Sequence, residues 1–112
     1  MQLLKVKIGN KIFKVKDCRG ISSARGLMFD DLKNKDGALI YSNSIWMPFV
    51  KNKLNLIFLD EKMKVVEQQA AVPISLNPKT WKVYKNENAK YCLELKEIKL
   101  NVIKGTRIKL FK

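Results

Sequence analysis

The chain has 112 residues, 46% hydrophobic and 29% charged, a balance that excludes a disordered tail and fits one domain over residues 1–112. Its 23 Lys+Arg against 10 Asp+Glu give a net charge of +13, which attracts nucleic acid or anionic surfaces or simply keeps a lysine surface solvated. Histidine is absent, which removes Ser-His and Cys-His nucleophile activation, imidazole acid–base catalysis and histidine metal sites.

The charge is uneven. Residues 1–25 hold seven basic side chains and one acidic, residues 26–60 four of each, and residues 61–112 twelve and five. The ends are basic and the middle is neutral. Met1-Gln2-Leu3-Leu4 runs at once into Lys5 and Lys7, so an export signal lacks its apolar core. A cytoplasmic location is expected, with Cys18 and Cys92 reduced and no membrane span.

Leu4, Val6 and Ile8 alternate with lysines, which predicts a half-buried strand. Gly9-Asn10 supplies a tight turn, and Ile12 to Lys16 returns as the second strand, broken by Asp17-Cys18-Arg19-Gly20. Ser22 to Gly26 predicts a single helical turn with a serine cap and a glycine exit. Asp30 to Gly37 is a polar loop ending in a turn glycine, and Ala38 to Tyr41 a short apolar strand. Ile45-Trp46-Met47 is a brief extended piece stopped by Pro48 at an edge or corner.

Leu54 to Leu59 is an uninterrupted apolar run apart from Asn55, the pattern of a strand covered on both faces. Asp60-Glu61-Lys62 turns it into a partner strand over Met63 to Val72. Pro73 to Lys79, with two prolines, is a loop. Trp81 with Val83, and Tyr91 with Leu93 and Leu95, give two more strands around a polar turn region, Lys85 to Asn88. Lys96 to Val102 fits a short helix with Leu95, Ile98 and Val102 inward, and Thr106 to Phe111 is a last strand. The sum is mainly β: a small barrel or barrel-like sandwich of about eight short strands and one or two short helices.

Ala24-Arg25-Gly26-Leu27-Met28-Phe29, Gly37-Ala38-Leu39-Ile40-Tyr41, Trp46-Met47, Leu54 to Asp60, Val65-Val66, Tyr91-Cys92-Leu93-Glu94-Leu95 and Lys104-Gly105-Thr106-Arg107-Ile108 occur in that order. In these pieces the chain resembles the conserved family known as domain of unknown function 192. The resemblance covers nearly the whole chain. It implies a compact, mainly β, barrel-like domain with a short helix near Arg25-Gly26, and it implies no activity. Relatives often carry an export signal or lipid anchor. They commonly have Lys-Asn where this chain has Pro48-Phe49, Asp where Asn55 stands, and Asp where Thr106 stands.

Several residues are candidates for chemistry. Cys92 is a nucleophile only if a nearby cation lowers its pKa, and otherwise an inert buried thiol. Asp30, Asp31 and Asp36 crowd one loop, but Lys33 and Lys35 interrupt them and the ligand spacing of a calcium loop is missing, so no metal or other cofactor is expected. Glu94 is either a buried acid in a pocket or a partner for Arg25 or Arg107. Arg25 can clamp a carboxylate or phosphate, or pin its helical turn. Trp46-Met47 is core or the wall of a groove.

The leading reading is a non-enzymatic module that binds a small ligand or a protein partner in a pocket near the Trp-Met corner, lined by Arg25, Trp46, Met47, Asn55 and Glu94. The alternative is a single-stranded nucleic-acid binder that uses the basic ends through Phe13, Lys14, Lys16, Trp81, Lys82, Tyr84 and Lys85. An enzyme ranks third, restricted to carboxylate or thiol chemistry. Oligomeric state is left open by the sequence.

Overall fold

In the computed structural model, residues 3–18, 35–46, 53–72, 78 and 83–111 are described. Their order is β1 (Leu3–Ile8), β2 (Lys11–Cys18), β3 (Gly37–Ile40), β4 (Ser44–Trp46), β5 (Leu54–Leu59), β6 (Val65–Ala71), β7 (Val83–Lys85), β8 (Tyr91–Leu95) and β9 (Lys109–Phe111). Seven of them form one sheet in the order β6-β5-β8-β3-β2-β1-β9, and β4 pairs with β7 in a small second sheet.

The expected first hairpin forms. β1 and β2 pair antiparallel from Leu3↔Lys16 to Ile8↔Lys11, and Gly9 takes a φ of 59° at the turn, where a side chain would be strained. The expected β5–β6 hairpin forms too. Asp60 shapes its turn: the carboxylate accepts from the amides of Lys62 (2.8 Å) and Lys64 (3.0 Å).

The sheet curls until one segment joins its two edges. Val65 N–H donates to Thr106 O (2.8 Å) and Ile108 N–H to Met63 O (2.9 Å), alongside β6. The next residues, Lys109 to Phe111, pair with Lys7 to Lys5 of β1. The curled sheet therefore has an inner and an outer face, and each holds its own apolar cluster. The inner one contains Val6, Phe13, Val15, Leu39, Ile57, Leu59, Leu93 and Leu95. The outer one contains Ala38, Ile40, Leu54, Leu56, Phe58 and Cys92, with Ile45 and Tyr84 contributed by the small sheet. This explains why β5 is buried at all six positions, as its unbroken apolar run predicts. A radius of gyration of 12.9 Å fits one compact body of this length, for which about 13 Å is usual.

The predicted short helix over Lys96 to Val102 is not a helix. That stretch is a bend and a turn followed by irregular chain. Ile98, expected inside, is 56% exposed. The other predicted helical turn, Ser22 to Gly26, lies outside the described residues. No helix among the described residues is long and apolar enough to cross a membrane.

Candidate functional site

β8 runs between β3 and β5 at the centre of the sheet. The registers set Lys16 of β2 beside Ala38, Ala38 beside Glu94, and Glu94 beside Leu56. Residues directly paired across strands share a face, so these four side chains form one row on the outer face. Ile40 and Cys92 form the next row with Phe58. Glu94 thus stands in an apolar cluster, 3% exposed, and its Oε1 has no hydrogen-bond partner among the described residues. At about 4.8 Å per strand, Lys16 and Glu94 start about 10 Å apart. Between them Ala38 interposes a single methyl, and the Lys16 charge acts on the Glu94 carboxyl.

Burial pushes the Glu94 carboxyl up to about 8, against the pull of the Lys16 ammonium. At neutral pH this acid keeps its proton. It can then donate one hydrogen bond and accept others in a dry setting, where such bonds are strongest.

Cys92, two residues along the same face, is free and fully buried. Burial, and then the charge of Glu94, hold its thiol well above the usual range, so it is not a ready nucleophile. The backbones of Cys18 and Cys92 are separated by Ile40 on the intervening strand. That places them about 10 Å apart, beyond the roughly 7 Å limit for a disulfide.

Asn55 does not share this face. It pairs with Leu95 while Leu56 pairs with Glu94, so the two polar residues expected to line one pocket point to opposite sides of the sheet. Asn55 has a different task. Its Nδ2 donates to the carbonyls of Leu100 (2.9 Å) and Glu97 (3.2 Å), and its Oδ1 accepts from Gln68 Nε2 (2.8 Å). Gln68 Oε1 accepts from the Val102 amide (2.9 Å). This amide pair ties residues 97–102 to the sheet. An open depression of about 290 Å³ beside it is lined by Leu54, Asn55, Gln68, Ala70, Ile98 and Asn101.

An aspartate at position 55 would have no N–H to give those two carbonyls. Asn55→Asp is expected to cost about 3 kcal/mol at pH 7, because it faces a buried carboxylate with carbonyl oxygens. The loss should shrink at acidic pH, where the carboxyl regains a donor. Urea titrations at pH 7 and pH 4 check this, and equal losses at both would refute it.

Of the other expected site residues, Arg25 and Met47 lie outside the described residues, as do Trp81 and Lys82. For Trp46 only the backbone is described, opposite Val83 in the small sheet. Phe13 is buried on the inner face, and Tyr84 is buried with its hydroxyl accepting from the Val72 amide (3.1 Å). Lys14 and Lys85 are exposed, whereas Lys16 is almost covered. Asp36 accepts from the Lys14 amide (2.8 Å), and Asp30 and Asp31 lie outside the described residues. Gln68 escaped the sequence reading, since nothing local in Gln68-Gln69 distinguishes the inward amide from its neighbour.

The model of the family DUF192, described as Uncharacterized ACR, matches residues 6–110. No curated protein matches the chain. Solved structures of similar fold include a Sinorhizobium meliloti 1021 protein described as "a putative transcription regulator", with a TM-score of 0.74 and 18% identity over 96% of this chain and 91% of that one. Another is a protein of unknown function from Novosphingobium aromaticivorans DSM 12444, with a TM-score of 0.69 and 18% identity over 96% and 83%. At such identity the likeness concerns the fold alone.

Proposed function

The chain belongs to the DUF192 family, Uncharacterized ACR, and from that premise we propose that it is a non-enzymatic binding module. Its ligand is a small molecule bearing a carboxylate or phosphate, taken up on the outer face of the sheet around Glu94. One observation carries the reading: Glu94 is buried among apolar groups with an oxygen that has no hydrogen-bond partner among the described residues. Buried polar groups normally find partners, and the exceptions mark sites. A protonated Glu94 donates to an anionic oxygen, and the Lys16 ammonium in the same row adds attraction. Arg25, Trp46 and Met47 complete the site in this proposal: Arg25 clamps the anion and the Trp-Met corner covers the apolar part of the ligand. Asn55, on the other face, is left out of it.

A thermal-shift screen of small carboxylates and phosphates at pH 7 and near-physiological salt tests the proposal. A ligand at 100 times its Kd stabilises by about 2.7 kcal/mol, a shift of roughly 10 °C in a domain of this size. Glu94→Gln, which still offers an N–H, should keep the shift, and Glu94→Leu should lose it. A shift that survives Glu94→Leu, or a screen in which no compound of this class acts, removes the reading.

The nucleic-acid alternative retains the net charge of +13 as support. It loses two of its rings, because Phe13 and Tyr84 are buried and cannot stack on a base.

A further inference from the structure

The β9–β1–β2 end of the sheet presents an outer face that belongs to neither apolar cluster. Its registers place Phe111, Lys5 and Lys14 in one row, Lys109, Lys7 and Ile12 in the next, and Leu3 beside Lys5 on β1. All seven are exposed, the apolar ones substantially: Leu3 43%, Ile12 56% and Phe111 40%. No acidic residue occupies this lattice. Asp36, at its border, is engaged by the Lys14 amide. Four lysines therefore lie in the two rows that end, on the edge strand β9, at Phe111 and Lys109, with Phe111 as the accessible aromatic ring.

We infer that this face docks single-stranded nucleic acid, with Lys5, Lys7, Lys14 and Lys109 on phosphates and Phe111 under a base. Lysines two residues apart on β1 stand about 7 Å apart and adjacent strands about 5 Å apart. The cations thus form a close, flat array suited to a flexible polyanion rather than to one small ion. A flat ring flanked by cations is the element that sequence-tolerant single-strand binding requires, since every base has a π-face. An anionic membrane fits less well. Lysine is longer than Leu, Ile or Phe, so on a pleated face the ammonium groups stand above the apolar groups and keep them from the acyl region. This inference does not depend on the Glu94 carboxyl, which lies on β8 beyond β3, and it uses none of that site's residues, although Lys16 there pairs with Leu3.

The test is fluorescence anisotropy with a labelled oligothymidylate between 0.05 and 0.3 M salt, and in parallel flotation with phosphatidylserine vesicles. Four phosphate contacts predict a log–log salt slope of about −3. Lys5→Ala with Lys14→Ala should reduce that slope by about 1.4. Phe111→Ala should weaken binding about tenfold or more with the slope unchanged, because a lost base stack releases no counterions. Circular dichroism melts confirm that these surface variants stay folded. Binding that vanishes by ~0.15 M salt, an affinity indifferent to Phe111→Ala, or vesicle binding in place of oligonucleotide binding would each overturn the inference.

Discussion

Gly37→Ala is expected to unfold the protein at temperatures where the native chain is stable. A Cβ at Gly37 would overlap the carbonyl oxygen of Glu94 and press on the Glu94 carbonyl carbon (2.8 Å) and Leu95 Cα (3.0 Å). All three are backbone atoms, so no side chain can swing aside. β3 would have to retreat from β8, breaking Gly37↔Leu95 and Ala38↔Glu94. It cannot retreat freely, because the same residues pair in parallel with Val15 and Lys16 of β2. The flanking bonds Asp36 N–H to Lys14 O (2.7 Å) and Lys96 N–H to Asp36 O (2.9 Å) fix the corner further. Ordinary overpacking costs about 1–3 kcal/mol, and a clash with two fixed backbones at the sheet's centre should exceed about 4. Domains of this size are stable by only about 5–15 kcal/mol. The variant should melt at least about 15 °C lower or fail to give a cooperative transition. A melting temperature within about 5 °C of the native value would show that the strands do not approach so closely.

What was legible in the sequence followed from local pattern. The alternation of Leu4, Val6 and Ile8 and the Gly9-Asn10 turn predicted a hairpin, and β1 and β2 form it. The apolar run Leu54 to Leu59 predicted a strand with two covered faces, and it has them. The alternation of Tyr91, Leu93 and Leu95 predicted a strand, and β8 spans Tyr91–Leu95. Where long-range pairing decides, the pattern was mute or misleading. Gly37 looked like a loop-ending glycine, yet it opens β3, where it makes room for the neighbouring strand's backbone. Leu95, Ile98 and Val102 have helical spacing, but side-chain amides from β5 and β6 hold the backbone of residues 97–102 in an open form. Asn55 and Glu94 were expected together, and their separation rests on the parity of the β5–β8 register, which no local signal reports. Lys16 reaches Glu94's row only through the parallel pairing of β2 with β3, across 18 intervening residues that carry no trace of it.

The carboxyl of Glu94 should make the protein lose stability as pH rises from about 4.5 to about 8. Folding raises this group from its ordinary 4.5 to about 8, chiefly by burial. Between those values the native state holds a proton that the unfolded chain has released, so each step up in pH favours unfolding. Below 4.5 both states are protonated, and above 8 both are ionised, so the curve is flat at either end with respect to this group. The whole displacement corresponds to about 5 kcal/mol. Among the described residues the other groups with shifted pKa values move away from this window. The chain has no histidine, and the Cys92 thiol is pushed upward, away from it. Asp60 and Glu67 are held below their ordinary values, Asp60 by the Lys64 amide and Glu67 by the Asn86 side chain. Any stability they supply is lost only in acid, below the window, with the opposite sign. Glu94→Gln removes the ionisable group and keeps the shape, so its stability should be level from pH 5 to 9. The variant should match the native protein near pH 5 and exceed it by several kcal/mol near pH 8.5. Urea denaturation at half-unit pH steps measures both curves. A native curve that is level through the window, or a Glu94→Gln curve with the same descent, would mean that Glu94 is not the buried proton holder that the proposed ligand capture requires.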